Sequence, residues 1–256
     1  YKFTIEENTP VEEEVALDPD LLGIVFESLL ASYNPETQAT ARKQTGSFYT
    51  PREIVNYMVD ESLKEYLKCV LEGKRVFENI DEKLSLLLSY TNEPHSFSIK
   101  ETSVLIEGIN NLKILDPACG SGAFPMGIMH KLVFILSKLD PNNKLWKQQQ
   151  YEKAKRDEKI AEKMEDESNR DAALKEIAKR EEDIEKAFDL NNHELDFARK
   201  LFLIENCIYG VDIQPIAIQI AKLRFFIALI VDQKSTGSLN ELNRGVRPLP
   251  NLETKF

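Results

Sequence analysis

The sequence predicts an α/β fold, and three observations carry that expectation. A short apolar run, Leu112 to Leu115, stops on Asp116. It then crosses the small-residue turn Pro117-Ala118-Cys119-Gly120-Ser121-Gly122 into an apolar helical pattern. A second apolar run, Cys207 to Val211, stops on Asp212 just ahead of Pro215 and another apolar helix. Before Leu112 the apolar positions recur at helical rather than strand spacing. The expected organisation is a mainly helical segment over 1–110 and part of an α/β domain over 111–256, with a helical insertion at about 140–195.

Residues 1–14 are acidic and loose in composition. Asp18-Pro19 suits a helix start, Asp as N-cap and Pro at the first helical position, and Leu21, Leu22, Val25, Phe26, Leu29 and Leu30 follow at helical spacing. Residues 34–47 read as a polar loop. Thr50-Pro51-Arg52-Glu53 predicts a helix opening with Thr50 as cap, Pro51 at the first position and Glu53 closing a capping box. Ile54, Tyr57, Met58 and Glu61 continue that helix, and Leu63 to Leu71 and Leu84 to Leu88 are further helical pieces.

In the second part a strand over 112–115 leads to a helix from Ala123 to Leu136, which Pro141-Asn142-Asn143 breaks. The highly charged tract from Lys147 to Lys186 predicts a helical hairpin turning near Asp166 to Asn169, with Ser168 and Asp171 at capping-box spacing. A tract of that composition is expected to be a solvated face. Phe197, Leu201, Phe202 and Ile204 return to the core as a helix, and a strand over 207–211 follows. Pro215 opens a helix to about Leu229, residues 240–250 form a loop, and Glu253 to Phe256 can begin a third strand.

Composition narrows the class. With 256 residues, 42% hydrophobic and 30% charged, the chain can bury a substantial core. No apolar stretch reaches the roughly 18–20 residues of a membrane span, and no signal segment opens the chain. Cys69, Cys119 and Cys207 form neither a disulfide framework nor a metal-ligand spacing, so a reducing, cytoplasmic setting is expected. His95, His130 and His193 show no metal-binding spacing either. A net charge of −10 opposes broad contact with nucleic-acid phosphates, and no dense basic run is present. The main nucleic-acid surface is therefore expected outside this chain. Both ends, Tyr1 and Phe256, read as cut from something longer.

The two acid-terminated strands carry the chemistry. In an α/β protein a nucleotide-like ligand sits at the carboxyl edge of the sheet, where glycines let the backbone turn tightly and approach it closely. Asp116 can accept hydrogen bonds from an ammonium or hydroxyl; its plainer role is an Asx turn. Asp212 can bind a ribose diol, as an acid does in dinucleotide sites, or simply cap the helix of Pro215. Cys119 has no base in its motif and is read as a small packing residue rather than a nucleophile.

Asp116-Pro117-Ala118-Cys119-Gly120-Ser121-Gly122 resembles motif I of the S-adenosylmethionine-dependent DNA adenine N6-methyltransferases. Gly46-Ser47-Phe48-Tyr49-Thr50-Pro51-Arg52 resembles motif X, and Ile208-Tyr209-Gly210-Val211-Asp212-Ile213-Gln214-Pro215 resembles motif II. This order is that of the gamma-class amino-methyltransferases. Together with Leu21-Leu22-Gly23-Ile24-Val25-Phe26-Glu27 it is most similar to the methyltransferase region of type IIG restriction–modification enzymes. The resemblance implies a partial Rossmann-like domain that binds S-adenosylmethionine through Phe48, Tyr49, Thr50, Pro51, Asp116, Ala118, Cys119, Gly120, Ser121, Gly122, Asp212 and Ile213. In the full-length protein it implies duplex DNA as partner, with no metal in this part. The motif IV sequence that would hold the target amine, Asn-Pro-Pro-Tyr or Asp-Pro-Pro-Tyr, does not occur, so no catalytic residue is assigned and the chain alone is expected to be inactive. Two alternatives stay open: a protein or RNA amino-methyltransferase, and a non-catalytic cofactor-binding scaffold domain.

Overall fold

The structure is a computed structural model that describes Gly23, Val25 and residues 33–34, 39–40, 50–74, 79–188 and 195–232. The Asp18-Pro19 helix start, the 240–250 loop and the strand at 253–256 lie outside the described residues. Across the start of the 34–47 stretch expected as a loop, β1 (Tyr33–Asn34) and β2 (Ala39–Thr40) pair antiparallel, Tyr33 opposite Thr40.

Three helices precede the second sheet: α1 (Arg52–Glu72), α2 (Ile80–Leu88) and α3 (Ile99–Asn111). The expected opening of α1 is corrected. Pro51 holds the N-cap position, no side chain caps the helix, and its carbonyl accepts from Ile54 and Val55. The extended ψ of 143° at Pro51 puts Thr50 one residue too early to reach the first free N–H groups. The buried stripe of α1 is Val55, Val59, Leu63, Leu67 and Leu71, while Ile54, Tyr57 and Met58 face outward. Helix α3 opens on a true capping box: Ser98 accepts from the Glu101 N–H, and Glu101 accepts from the Ser98 N–H at 2.7 Å.

The parallel pair consists of β3 (Ile114–Asp116) and β4 (Ile208–Gly210), in register Ile114 to Ile208 and Asp116 to Gly210. Between the strands run α4 (Ala123–Leu139), α5 (Lys144–Ala161), α6 (Glu167–Ala187) and α7 (Leu195–Asn206); α8 (Pro215–Ile230) follows β4 with Pro215 in its first turn, as expected. The charged hairpin is present as α5 and α6, but its return helix starts at Glu167. Its cap is Asp166, which accepts from the Asn169 N–H, rather than Ser168. Among the described residues, then, most of the chain is helical and one parallel strand pair forms.

Helix α4 is the centre of the packing. Met126, Met129, Leu132, Val133, Ile135 and Leu136 bury it between α1, α2, α3 and α7. Its one charged core residue, Lys131, is compensated by Asp60 at 2.8 Å, the Leu88 carbonyl at 2.6 Å and the Tyr90 ring at 3.9 Å. Val55 lies against Gly127, and Asp60 pairs with Lys131. Both positions advance together along the two helices, so α1 and α4 run parallel. Their N-terminal ends therefore lie at the same end of the molecule, which brings Thr50 and Pro51 to the end where the glycine turn enters α4.

The glycine-turn site

The strand ladder does not stop at Asp116. The Asp116 carbonyl accepts from the Val211 N–H, and the Val211 carbonyl accepts from the Cys119 N–H, both at 2.9 Å. These two bonds carry the chain past the strand ends and lay the turn of residues 117–122 across the end of β4. The turn then needs two left-handed residues, and glycine supplies both: φ is +55° at Gly120 and +88° at Gly122. A Cβ at Gly120 would meet nothing within 4 Å, so this side of the turn is open to a ligand. A Cβ at Gly122 would lie 3.1 Å from that of Ala221, so here glycine admits α8.

The two acids meet at this turn. Asp212 accepts from the Gly120 N–H at 2.9 Å through Oδ2 and from the Gln214 N–H at 2.8 Å through Oδ1. It ties the two loops together and forms an Asx turn ahead of Pro215, but not the helix cap weighed from the sequence: Gln214 holds the N-cap position and no side chain caps α8. Each carboxylate oxygen retains a second lone pair, so a diol can still be accepted. Asp116 accepts from the Ala118 N–H at 3.1 Å through Oδ1, the Asx turn also weighed from the sequence. Its Oδ2 is buried and has no hydrogen-bond partner among the described residues. Burial raises the carboxyl pKa above the usual range, the Ala118 N–H opposes that, and the nearby negative charge of Asp212 adds to it. A half-buried carboxylate with an orphaned oxygen beside an open glycine is an arrangement that a cationic or hydroxyl donor would complete.

The remaining expected residues divide. Cys119 is buried, and burial together with Asp116 and Asp212 pushes its thiol up to about 11, so it is no nucleophile near neutral pH. Ser121 is buried at the foot of the turn, whereas Ala118 is exposed on it. Ile213 is 88% exposed beside Asp212. Thr50 is half-buried and Pro51 exposed at the start of α1, and Phe48 and Tyr49 lie outside the described residues.

Sequence reasoning noted Arg224 within the apolar run Leu223 to Val231 and gave it no role at the site. It is buried in α8 and donates from Nη1 to the Ser121 carbonyl at 2.8 Å, bracing the turn from below. Gly23, from the upstream Leu-Leu-Gly-Ile-Val-Phe-Glu block, lies so close that a Cβ on it would stand 2.7 Å from the same Nη1. The signal for this link was an arginine inside the apolar run Leu223 to Val231, where a buried charge requires an acceptor. Among the described residues no group of three or more His, Cys, Asp or Glu is arranged to hold a metal ion, and no helix is long and apolar enough to cross a membrane.

The fold thus places a glycine turn at the carboxyl edge of a parallel strand pair, with Asp116 ending β3 and Asp212 two residues past the end of β4. Comparison with known proteins adds one relative. Over 262 aligned residues the chain is 28% identical to a Methanocaldococcus jannaschii protein named "Putative type II restriction enzyme and methyltransferase". The match covers 99% of this chain and 17% of that protein, so the chain spans about a sixth of the relative's length. No family model matches the chain, and no solved structure matches it at a significant level.

Proposed function

We propose that this chain is the S-adenosylmethionine-binding part of a restriction–modification DNA methyltransferase, of the gamma class, that acts on the N6 amine of adenine. The observation that carries the reading is Asp116: a partly buried carboxylate with one unsatisfied oxygen, beside an open Gly120 that is itself tied to Asp212, 92 residues further along the sequence. The residues fit the cofactor by charge and shape. Asp116 Oδ2 suits the methionine ammonium, Asp212 suits the ribose hydroxyls, and the uncapped amides opening α4 suit polar or anionic atoms. The name of the relative supports the reaction class, and the order of the three motif-like blocks supports the gamma class. In this reading β3 and β4 begin a Rossmann-like sheet.

The bound cofactor would supply an electrophilic methyl group. The chain's own task is to hold and orient it, and orientation of two reactants is a large part of such catalysis. Titration calorimetry of S-adenosylmethionine and S-adenosylhomocysteine into the chain tests the site, with saturable heat expected from both. No heat at millimolar ligand rejects the cofactor assignment. The full-length protein, given duplex DNA and labelled cofactor, is expected to yield N6-methyladenine; N4-methylcytosine would reject the adenine assignment and leave the cofactor site standing.

A further inference from the structure

The α5–α6 hairpin is the largest feature that the glycine-turn site leaves without a role, and its base is not built like a loose solvated tract. The Trp146 indole N–H donates to Asn110 Oδ1 at 2.5 Å, Gln150 donates to the same oxygen at 3.0 Å, and Gln149 donates to Ser103. Trp146 also packs edge-on against Phe188 and Phe202. Beyond this base Ala154, Ala161 and Ile177 form a separate small core, and Arg180 pairs with Asp157 at 2.7 Å. The result is a stiff arm, since the 18 residues of α5 extend about 27 Å.

Charge is sorted around α5. On the side toward α6, Lys144, Lys147 and Lys155 share a groove with Glu181, Glu182 and Glu185, so their charge is locally balanced. Around the other side Lys153, Arg156 and Lys159 follow at three-residue steps, Lys163 stands in the turn just past the helix end, and all four are exposed. Glu152, four residues before Arg156, falls on the same face and accepts from Gln148, while Asp157 is turned toward Arg180. The sequence shows no dense basic run because the acids of α5 alternate with its bases; helical winding turns Asp157 and Glu158 away from the row. We propose that this outer face of α5 binds the phosphate backbone of duplex DNA, an inference that rests on the methyltransferase reading. Three cations over about 9 Å of helix, with Lys163 carrying the row past its end, match a line of phosphates. On a chain of net charge −10, and on an arm whose own acids and bases nearly cancel, this row is where a duplex would be attracted.

The test is fluorescence anisotropy of a labelled mixed-sequence duplex with the whole chain, from about 50 to about 200 mM salt. Binding is expected to weaken steeply with salt, in proportion to about four neutralised phosphates. The fourfold reversal Lys153→Glu, Arg156→Glu, Lys159→Glu and Lys163→Glu should weaken binding at least tenfold and flatten the salt dependence. Its circular dichroism and S-adenosylhomocysteine titration should match those of the wild type. If the reversal unfolds the chain, the fourfold change to Gln decides the matter with the same expected loss. Unchanged DNA affinity in the folded variant, no duplex binding by the wild type at low salt, or equal binding to anionic phospholipid vesicles would each overturn the proposal. A wild type that binds duplex through this face yet takes no S-adenosylhomocysteine would reject the cofactor reading and keep the arm.

Discussion

Asp212 and Gly120 stand 92 residues apart in sequence and are joined by one hydrogen bond of 2.9 Å from the Gly120 N–H to the Asp212 carboxylate. The bond fixes the glycine turn to the end of β4, so the shape of the site depends on a contact between two loops rather than on either motif alone.

Asp212→Ala should therefore act on the free protein as well as on ligand binding. Two backbone N–H groups, those of Gly120 and Gln214, lose their acceptor. A lost hydrogen bond to a charged group costs about 1.5–3 kcal/mol, less where water replaces it. Denaturant unfolding should show a loss of about that size, and calorimetry a cofactor affinity at least tenfold weaker. Asp212→Asn, which keeps one carbonyl acceptor, should fall between the two. Unchanged stability in the alanine variant would mean that the Gly120–Asp212 bond is not formed in solution.

Asp116 predicts a trade between stability and binding. Its folded pKa is raised, chiefly by burial, so the native state holds its proton at a pH where the unfolded chain has lost it. Stability from this group is then fully present below the ordinary carboxylate pKa and is lost as pH rises through the folded value. Asp116→Asn keeps the Asx acceptor for Ala118 and removes the buried charge. The variant should melt higher than the wild type at neutral pH, with the gap closing in acid. In the proposed reading the S-adenosylmethionine ammonium loses a charged partner, and affinity for it should drop at least tenfold. A variant that melts lower at neutral pH, or binds equally well, would remove the strain from this carboxylate.

Much of this site was legible because glycine and proline act locally. Gly120 and Gly122 take the positive φ that the turn requires, and Pro215 opens α8 where a missing N–H does no harm. What the sequence hid were relations between distant residues. The acceptor for the Gly120 N–H and the brace from Arg224 to Ser121 span 92 and 103 positions, beyond any periodicity. One local signal was overlooked: Ser98-Ile99-Lys100-Glu101 carries the capping-box pattern that starts α3. The opposite error occurred at Thr50, where the pattern is present but Pro51 occupies the N-cap position.

Cysteine chemistry offers a direct check on burial. Cys69 is exposed, whereas burial raises the thiols of Cys119 to about 11 and Cys207 to about 12. Alkylation follows thiolate content and access. Iodoacetamide at neutral pH should therefore label Cys69 alone in the folded chain, and all three residues in denaturant, as read by peptide mass spectrometry. Rapid labelling of Cys119 in the native chain would contradict the closed turn and reopen a nucleophilic role for it.

The parallel packing of α1 on α4 gives the last prediction. A Cβ at Gly127 would lie 2.8 Å from Val55 Cγ1, closer than van der Waals contact allows, and the β-branched valine has little freedom to turn aside. Gly127→Ala gains about 0.5–1 kcal/mol of helix preference. Overpacking in a filled interface costs about 1–3 kcal/mol, so the net effect should be a loss. Relief comes from α1 moving off α4, and because the helices run parallel the displacement carries Thr50 and Pro51 away from the glycine turn. Cofactor affinity should accordingly fall several-fold, although Gly127 lies more than a turn inside α4. Val55→Ala removes the colliding methyls, so the double variant Val55→Ala/Gly127→Ala should regain cofactor affinity while remaining less stable than the wild type. Calorimetry and denaturant unfolding on the four proteins separate the two effects. A double variant that binds no better than Gly127→Ala alone would show that the start of α1 takes no part in the site.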